Sequence, residues 1–136
     1  MTLPRVLVAE DHVQVAECLR GLLDGHCELV GIVHDGTSLV EAALHHRPDV
    51  IVADISMPGC DGLEALRRLR ERGASAKVIM LTMFADREIA EQAIACGANG
   101  YIVKHAAADE LLKAIADVTA GLTYITPFVS RPRPRR

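Results

Sequence analysis

Asp54 closes the apolar run Val50-Ile51-Val52-Ala53 and is followed at once by Ile55-Ser56-Met57-Pro58-Gly59-Cys60-Asp61-Gly62. Three other apolar runs end in polar groups. Val6-Leu7-Val8-Ala9 leads into Glu10-Asp11, Val78-Ile79-Met80-Leu81 into Thr82, and Tyr101-Ile102-Val103 into Lys104. If these runs are parallel strands, their polar ends gather in the crevice outside the carboxyl edge of the sheet, where open parallel sheets hold ligands. Two carboxylates about 4 Å apart repel by roughly 4 kcal/mol at an effective dielectric near 20, so Glu10, Asp11 and Asp54 call for a cation. Oxygen donors without cysteine or paired histidine favour a hard ion, and an open carboxylate cleft that also meets a phosphate suits Mg²⁺ or Mn²⁺. Lys104 can neutralise a phosphoryl group from the opposite side, while the Thr82 hydroxyl donates to one of its oxygens.

The elements that must position these groups alternate along the chain. Val15, Leu19, Leu22 and Leu23 mark one face of a helix over residues 12 to 25, and Glu28-Leu29-Val30-Gly31-Ile32-Val33 reads as a strand. The Ser38-x-x-Glu41 pattern predicts a second helix that starts near Ser38 and ends before Pro48. Asp61-x-x-Glu64 opens a third, with Leu63, Leu66 and Leu69 inward, which runs to Gly73. Asp86 caps a fourth that stops at Gly97, and a fifth spans about residues 107 to 120 with Leu111, Leu112, Ile115 and Val118 on its buried side. Five strand–helix units in succession predict an α/β fold, a doubly wound parallel sheet.

Composition suits one domain with a sizeable core, since half of the 136 residues are apolar. No run of about 18 apolar residues suggests a membrane span, and Met1-Thr2-Leu3-Pro4-Arg5 has no signal-peptide pattern, so a cytoplasmic protein without membrane contact is expected. Cys18, Cys27, Cys60 and Cys96 form no Cys-x-x-Cys pair and read as reduced, packed thiols, except that Cys60, in the loop after Asp54, is placed to be exposed. None of the six histidines is expected to bind metal. His12 beside the acidic pair reads as solvent-exposed, and His45-His46 as partners of helix-end carbonyls or water. Residues 1 to 130 carry 11 basic and 18 acidic side chains, and the Arg131-Pro132-Arg133-Pro134-Arg135-Arg136 tail brings the net charge to −3.

The acidic pair Glu10-Asp11, Asp54 with Met57-Pro58 and Asp61-Gly62 behind it, Thr82 and Lys104, in this order, resemble the receiver domain of two-component response regulators over residues 3 to about 122. Asp35-Gly36, Gly97-Ala98-Asn99-Gly100-Tyr101 and Gly121-Leu122-Thr123-Tyr124-Ile125-Thr126-Pro127 look most like the NarL/LuxR type. The resemblance implies a flavodoxin-like, five-stranded parallel sheet of order 2-1-3-4-5 with five helices. It implies Asp54 as the acceptor of a phosphoryl group from a histidine kinase, with Thr82 and Lys104 as its catalytic partners. Glu10, Asp11, Asp54 and the backbone carbonyl of Ser56 would hold Mg²⁺ or Mn²⁺. Thr82 and Tyr101 match the family's switch pair, in which the ring turns inward.

The sequence departs from the family pattern after Lys104, where many receivers have proline and this chain has His105. A cis bond there would cost about 2.5 to 4 kcal/mol, so a trans bond is expected. Met83 is bulkier than the small residue usual after the switch threonine and is expected to narrow access to Asp54. Ser56 and Phe84 occupy positions where receivers that lose phosphate quickly commonly carry amide or acidic groups, so slow self-dephosphorylation is expected.

Other functions fit less well. An FMN carrier of the same fold needs a phosphate loop where Glu10-Asp11-His12 would repel phosphate, and a haloacid-dehalogenase-like phosphatase would need a second aspartate where Ser56 stands. The serious rival is a stand-alone or phosphorylation-independent receiver-like interaction module. The expected organisation is a receiver over residues 1–124 and a Pro/Arg-rich, extended tail or linker over residues 125–136. No helix-turn-helix is present in the sequence, so DNA binding is expected only through a further output domain, with a homodimer formed on phosphorylation.

Overall fold

Strand residues of alternating direction build both faces of one sheet. The computed structural model describes residues 2–127. Its elements are β1 (Arg5–Ala9), α1 (Val13–Leu23), β2 (Glu28–Val33), α2 (Gly36–His46), β3 (Val50–Asp54), α3 (Gly62–Glu71), β4 (Lys77–Thr82), α4 (Arg87–Ala95), β5 (Gly100–Val103), a 3₁₀ turn (Lys104–Ala106), α5 (Ala107–Thr119) and β6 (Tyr124–Ile125). Every strand pairing is parallel, in the order β2-β1-β3-β4-β5-β6. This is the expected flavodoxin-like arrangement with one strand added at the β5 edge.

Period-two alternation sorts the core into two layers. Leu7, Ala9, Ile51, Ala53, Val78, Met80 and Tyr101 face α2, α3 and α4, whereas Val6, Val8, Val50, Val52, Ile79, Leu81 and Ile102 face α1 and α5. All five residues of β3 are buried, as a strand covered on both faces requires. Asp54 is therefore carried on a fully enclosed strand.

Several local expectations change. The second helix starts at Gly36, not near Ser38, because Asp35 caps it: one carboxylate oxygen accepts from the Ser38 N–H at 2.7 Å and the other from the Ser38 hydroxyl at 3.0 Å. A Cβ at Gly36 would lie 1.9 Å from the Cys60 carbonyl oxygen, so the start of α2 presses on the loop after Asp54. Cys60 is buried although its loop position left exposure open, and Cys18, read as packed, is exposed on α1. The first helix is shorter than 12 to 25, and α3 turns Ala65, Leu66 and Leu69 inward while Leu63 is only half-buried. Asp61 and Asp86 cap α3 and α4 as expected, accepting from Glu64 N–H and from Glu88 and Ile89 N–H respectively.

The folded body also crosses the boundary expected at residue 124. Ile125 pairs with Tyr101, and Thr126 is 3% exposed. The Arg/Pro tail from residue 128 lies outside the described residues.

Candidate functional site

β1, β3 and β5 deliver carboxylates and one ammonium to the same point. Lys104 Nζ lies 2.7 Å from Asp54 Oδ2 and 2.9 Å from Glu10 Oε1. The other Asp54 oxygen accepts from the Ser56 backbone N–H at 3.0 Å. Glu10 is wholly buried, an unusual place for a carboxylate, and its Oε2 accepts from the His12 N–H at 3.0 Å. Glu10 Oε1 and Asp11 Oδ1 are buried without a hydrogen-bond partner: the ammonium close to Glu10 Oε1 is an ion-pair contact rather than an aligned bond.

Burial pushes the Asp54 carboxyl up from its ordinary value, against the hydrogen bond from Lys104, and the Glu10 charge adds to the rise. Burial works against the Lys104 ammonium as well, yet its bonds to Asp54 and Glu10 outweigh that and raise it. Burial also opposes ionisation of Asp11, but contacts with Glu10 and His12 hold its carboxyl below the ordinary value.

The set fits a hard divalent cation. Three carboxyl groups face one ammonium, and Asp11 Oδ1 is buried without a hydrogen-bond partner, a cost that a cation removes. One ligand atom each from Glu10, Asp11, His12 and Asp54 lie within 4.8 Å of one another. His12 is the residue that sequence reasoning set aside. It is exposed as expected, but its Nδ1 stands 3.2 Å from Glu10 Oε2 and 3.3 Å from Asp11 Oδ1. Its place directly after two acids was the available signal.

Thr82 and Tyr101 stand on the neighbouring strands rather than in the carboxylate cluster. Asp54 is level with Leu81 and Thr82 with Val103, so Thr82 sits one residue farther along the carboxyl edge than Asp54. Its hydroxyl accepts from the Phe84 N–H at 3.1 Å, and the wholly buried Tyr101 donates its phenol to the Phe84 carbonyl at 2.8 Å. Both members of the expected switch pair thus grip one peptide segment of the β4–α4 loop, with the ring inward. Met83 and Phe84 are 70% and 64% exposed, whereas Asp54 is 3% exposed. No peptide bond among the described residues is cis, which includes the one between Lys104 and His105.

Residues 6–116 match the family model of the response regulator receiver domain. The oxygen regulatory protein NreC of Staphylococcus epidermidis is 35% identical over 124 residues, covering 89% of this chain and 57% of the relative. The transcriptional regulatory protein DegU of Brevibacillus brevis is 34% identical over 128 residues, covering 93% and 54%. The chain therefore spans a little over half the length of these relatives. Among solved structures, a LuxR-family two-component response regulator from Aurantimonas superposes with a TM-score of 0.90 at 28% identity, covering 95% of this chain and 94% of that one. The signal receiver domain of the putative response regulator NarL from Mycobacterium tuberculosis gives 0.84 at 30% identity, covering 89% and 99%.

Proposed function

This chain belongs to the response regulator receiver domain family, and from that membership we propose that Asp54 accepts a phosphoryl group from the phosphohistidine of a sensor histidine kinase. The observation that carries the reading is Lys104 Nζ, bridging Asp54 Oδ2 at 2.7 Å and Glu10 Oε1 at 2.9 Å across three strand ends.

Glu10, Asp11, Asp54 and the backbone carbonyl of Ser56 would hold Mg²⁺ or Mn²⁺. The ion's chemistry there is charge neutralisation of carboxylates and phosphoryl oxygens. An Asp54 oxygen attacks phosphorus, the P–N bond to the imidazole breaks, and the departing ring nitrogen keeps the electron pair. Lys104 then transfers its hydrogen bond from the carboxylate to a phosphoryl oxygen, and the Thr82 hydroxyl leaves the Phe84 N–H to donate to another. That departure loosens the β4–α4 loop that Tyr101 also holds, which gives the site a two-state element. The domain turns over no external substrate.

The relatives carry transcriptional and regulatory names. We assign this chain's output to transcription, exerted on DNA through the part of such relatives that it does not span, with homodimerisation on phosphorylation as the intermediate event. No helix among the described residues is long and apolar enough to cross a membrane; from the family we assign the action of this chain to the cytoplasm.

The deciding experiment incubates the protein with acetyl phosphate and Mg²⁺ and follows intact mass. Gain of one phosphoryl group is expected, abolished by chelation and by Asp54→Asn. Label that survives either treatment refutes the assignment, and a wild-type protein that takes none supports the phosphorylation-independent interaction module instead.

A further inference from the structure

We propose that Thr126, backed by Glu110, is a positioning residue for Lys104 and ties that lysine to the chain segment following the sheet. The proposal rests on the reading of Lys104 as part of a phosphoryl-accepting site. Lys104 begins a 3₁₀ turn, Lys104–Ala106, that has no buried residue and contains no proline to stiffen it. Its Nζ nonetheless has to be held between Asp54 and Glu10. The restraint must come from outside the turn.

The residue before it supplies the handle. Thr126 N–H donates to the Tyr101 carbonyl at 2.9 Å, continuing the parallel β5–β6 ladder. In such a ladder the next bond would run from Val103 N–H to the Thr126 carbonyl. Here the Thr126 hydroxyl oxygen takes it instead, at 3.2 Å. Val103 is 1% exposed, so without that hydroxyl its N–H would be buried and unpartnered.

The hydroxyl is itself fixed. Its single proton goes to Glu110 Oε1 at 3.1 Å, and the same oxygen accepts the Tyr124 phenol at 2.8 Å. Glu110 lies in the first turn of α5, where a carboxylate is favoured by the free backbone donors. A continuous chain of hydrogen bonds thus runs from α5 through Thr126 to the Ile102–Val103 peptide, one residue before Lys104. Coupling through it is reciprocal: withdrawal of Lys104 toward a phosphoryl group at Asp54 acts on Thr126, and tension beyond Thr126 acts on Lys104.

The test compares Thr126→Val, which keeps the shape and loses the hydroxyl, with Thr126→Ser, which keeps the hydroxyl. Phosphorylation by acetyl phosphate at saturating Mg²⁺ is expected to slow about tenfold in Thr126→Val, the effect of one lost buried hydrogen bond, and to recover in Thr126→Ser. Mg²⁺ affinity measured by calorimetry should not fall in either, because Lys104 competes with the ion for Glu10 and Asp54 rather than holding it, while exchange of the Val103 amide proton accelerates in Thr126→Val only. A wild-type rate in Thr126→Val, a Ser variant as slow as the Val one, or Mg²⁺ affinity falling in step with the rate would each overturn the proposal. A wild-type protein that takes no phosphoryl group overturns the parent reading and this one with it, whereas labelled wild type beside an unaffected Thr126→Val overturns this one alone.

Discussion

Lys104 offsets the charge of two buried carboxyl groups, and its removal shows what each contributes. In Lys104→Met the apposed Asp54 and Glu10 lose their counterion in a buried setting. Breaking such a cluster costs about 3 kcal/mol. Urea unfolding without divalent ions should show that loss, and Mg²⁺ should restore part of it. An unchanged midpoint would mean that water already compensates the carboxylates. Ser56 and Phe84 are proposed to set the lifetime of the phosphorylated state. The phenyl ring of Phe84 has no polar group to orient a water for attack, so slow self-dephosphorylation is expected. Ser56→Asn with Phe84→Glu should accelerate phosphate loss about tenfold, equivalent to roughly 1.4 kcal/mol off the barrier. A rate equal to or below the wild-type one would reduce Phe84 to a bystander.

At the level of elements, the site depends on how closely α3 approaches β3. A Cβ at Gly62 would lie 2.4 Å from the Asp54 carbonyl oxygen, a backbone atom with no room to yield. Gly62→Ala should therefore cost about 1–3 kcal/mol, the usual penalty of overpacking, and displace Asp54. Denaturant titration together with phosphorylation rate checks both, and a stable variant of full activity would contradict the contact. The docking of β6 predicts a pH dependence. Burial and then the bond to Glu110 push the Tyr124 phenol up to about 12, from its ordinary value of 10.0. A raised folded-state value stabilises the neutral form, so its contribution is complete below pH 10.0 and disappears as pH rises toward 12. Burial raises Tyr101 as well, so spectrophotometric titration of the folded protein should show neither phenol ionising at its ordinary value. Tyr124→Phe should remove most of the alkaline loss of stability near the β6 edge, leaving that due to Tyr101.

Over the whole molecule, the expected consequence of phosphorylation is a change in self-association. Thr82 and Tyr101 hold the same loop segment through Phe84, so reorganising one bond there alters a surface remote from Asp54. Sedimentation with and without beryllofluoride should show a shift of the monomer–dimer balance. Identical profiles over a wide concentration range would remove dimerisation as the output and leave rearrangement of the segment after Thr126.

The order of apolar runs and the polar residues that end them were sufficient to place Glu10, Asp11, Asp54, Thr82 and Lys104 along one edge of a parallel sheet, because strand direction and period-two burial are local properties of the chain. Asp61 and Asp86 were legible as caps for the same reason. What the sequence left open depended on groups far apart along it. The Asp35 cap on α2 is local, three residues long, and is masked by the Ser38-x-x-Glu41 pattern; the approach of Gly36 to the Cys60 carbonyl, by contrast, joins residues far apart, beside a buried thiol whose loop position alone had left exposure open. The sixth strand was missed because two residues carry no periodicity; Tyr124 and Ile125 become a strand only through the open edge of β5 and the Glu110 carboxylate beside it. The sequence determined which chemistry the carboxyl edge could hold. Only tertiary structure decided that Phe84 would face solvent and that the Thr126 hydroxyl would take the Val103 N–H, since burial and hydrogen-bond partners are set by elements that meet only after folding.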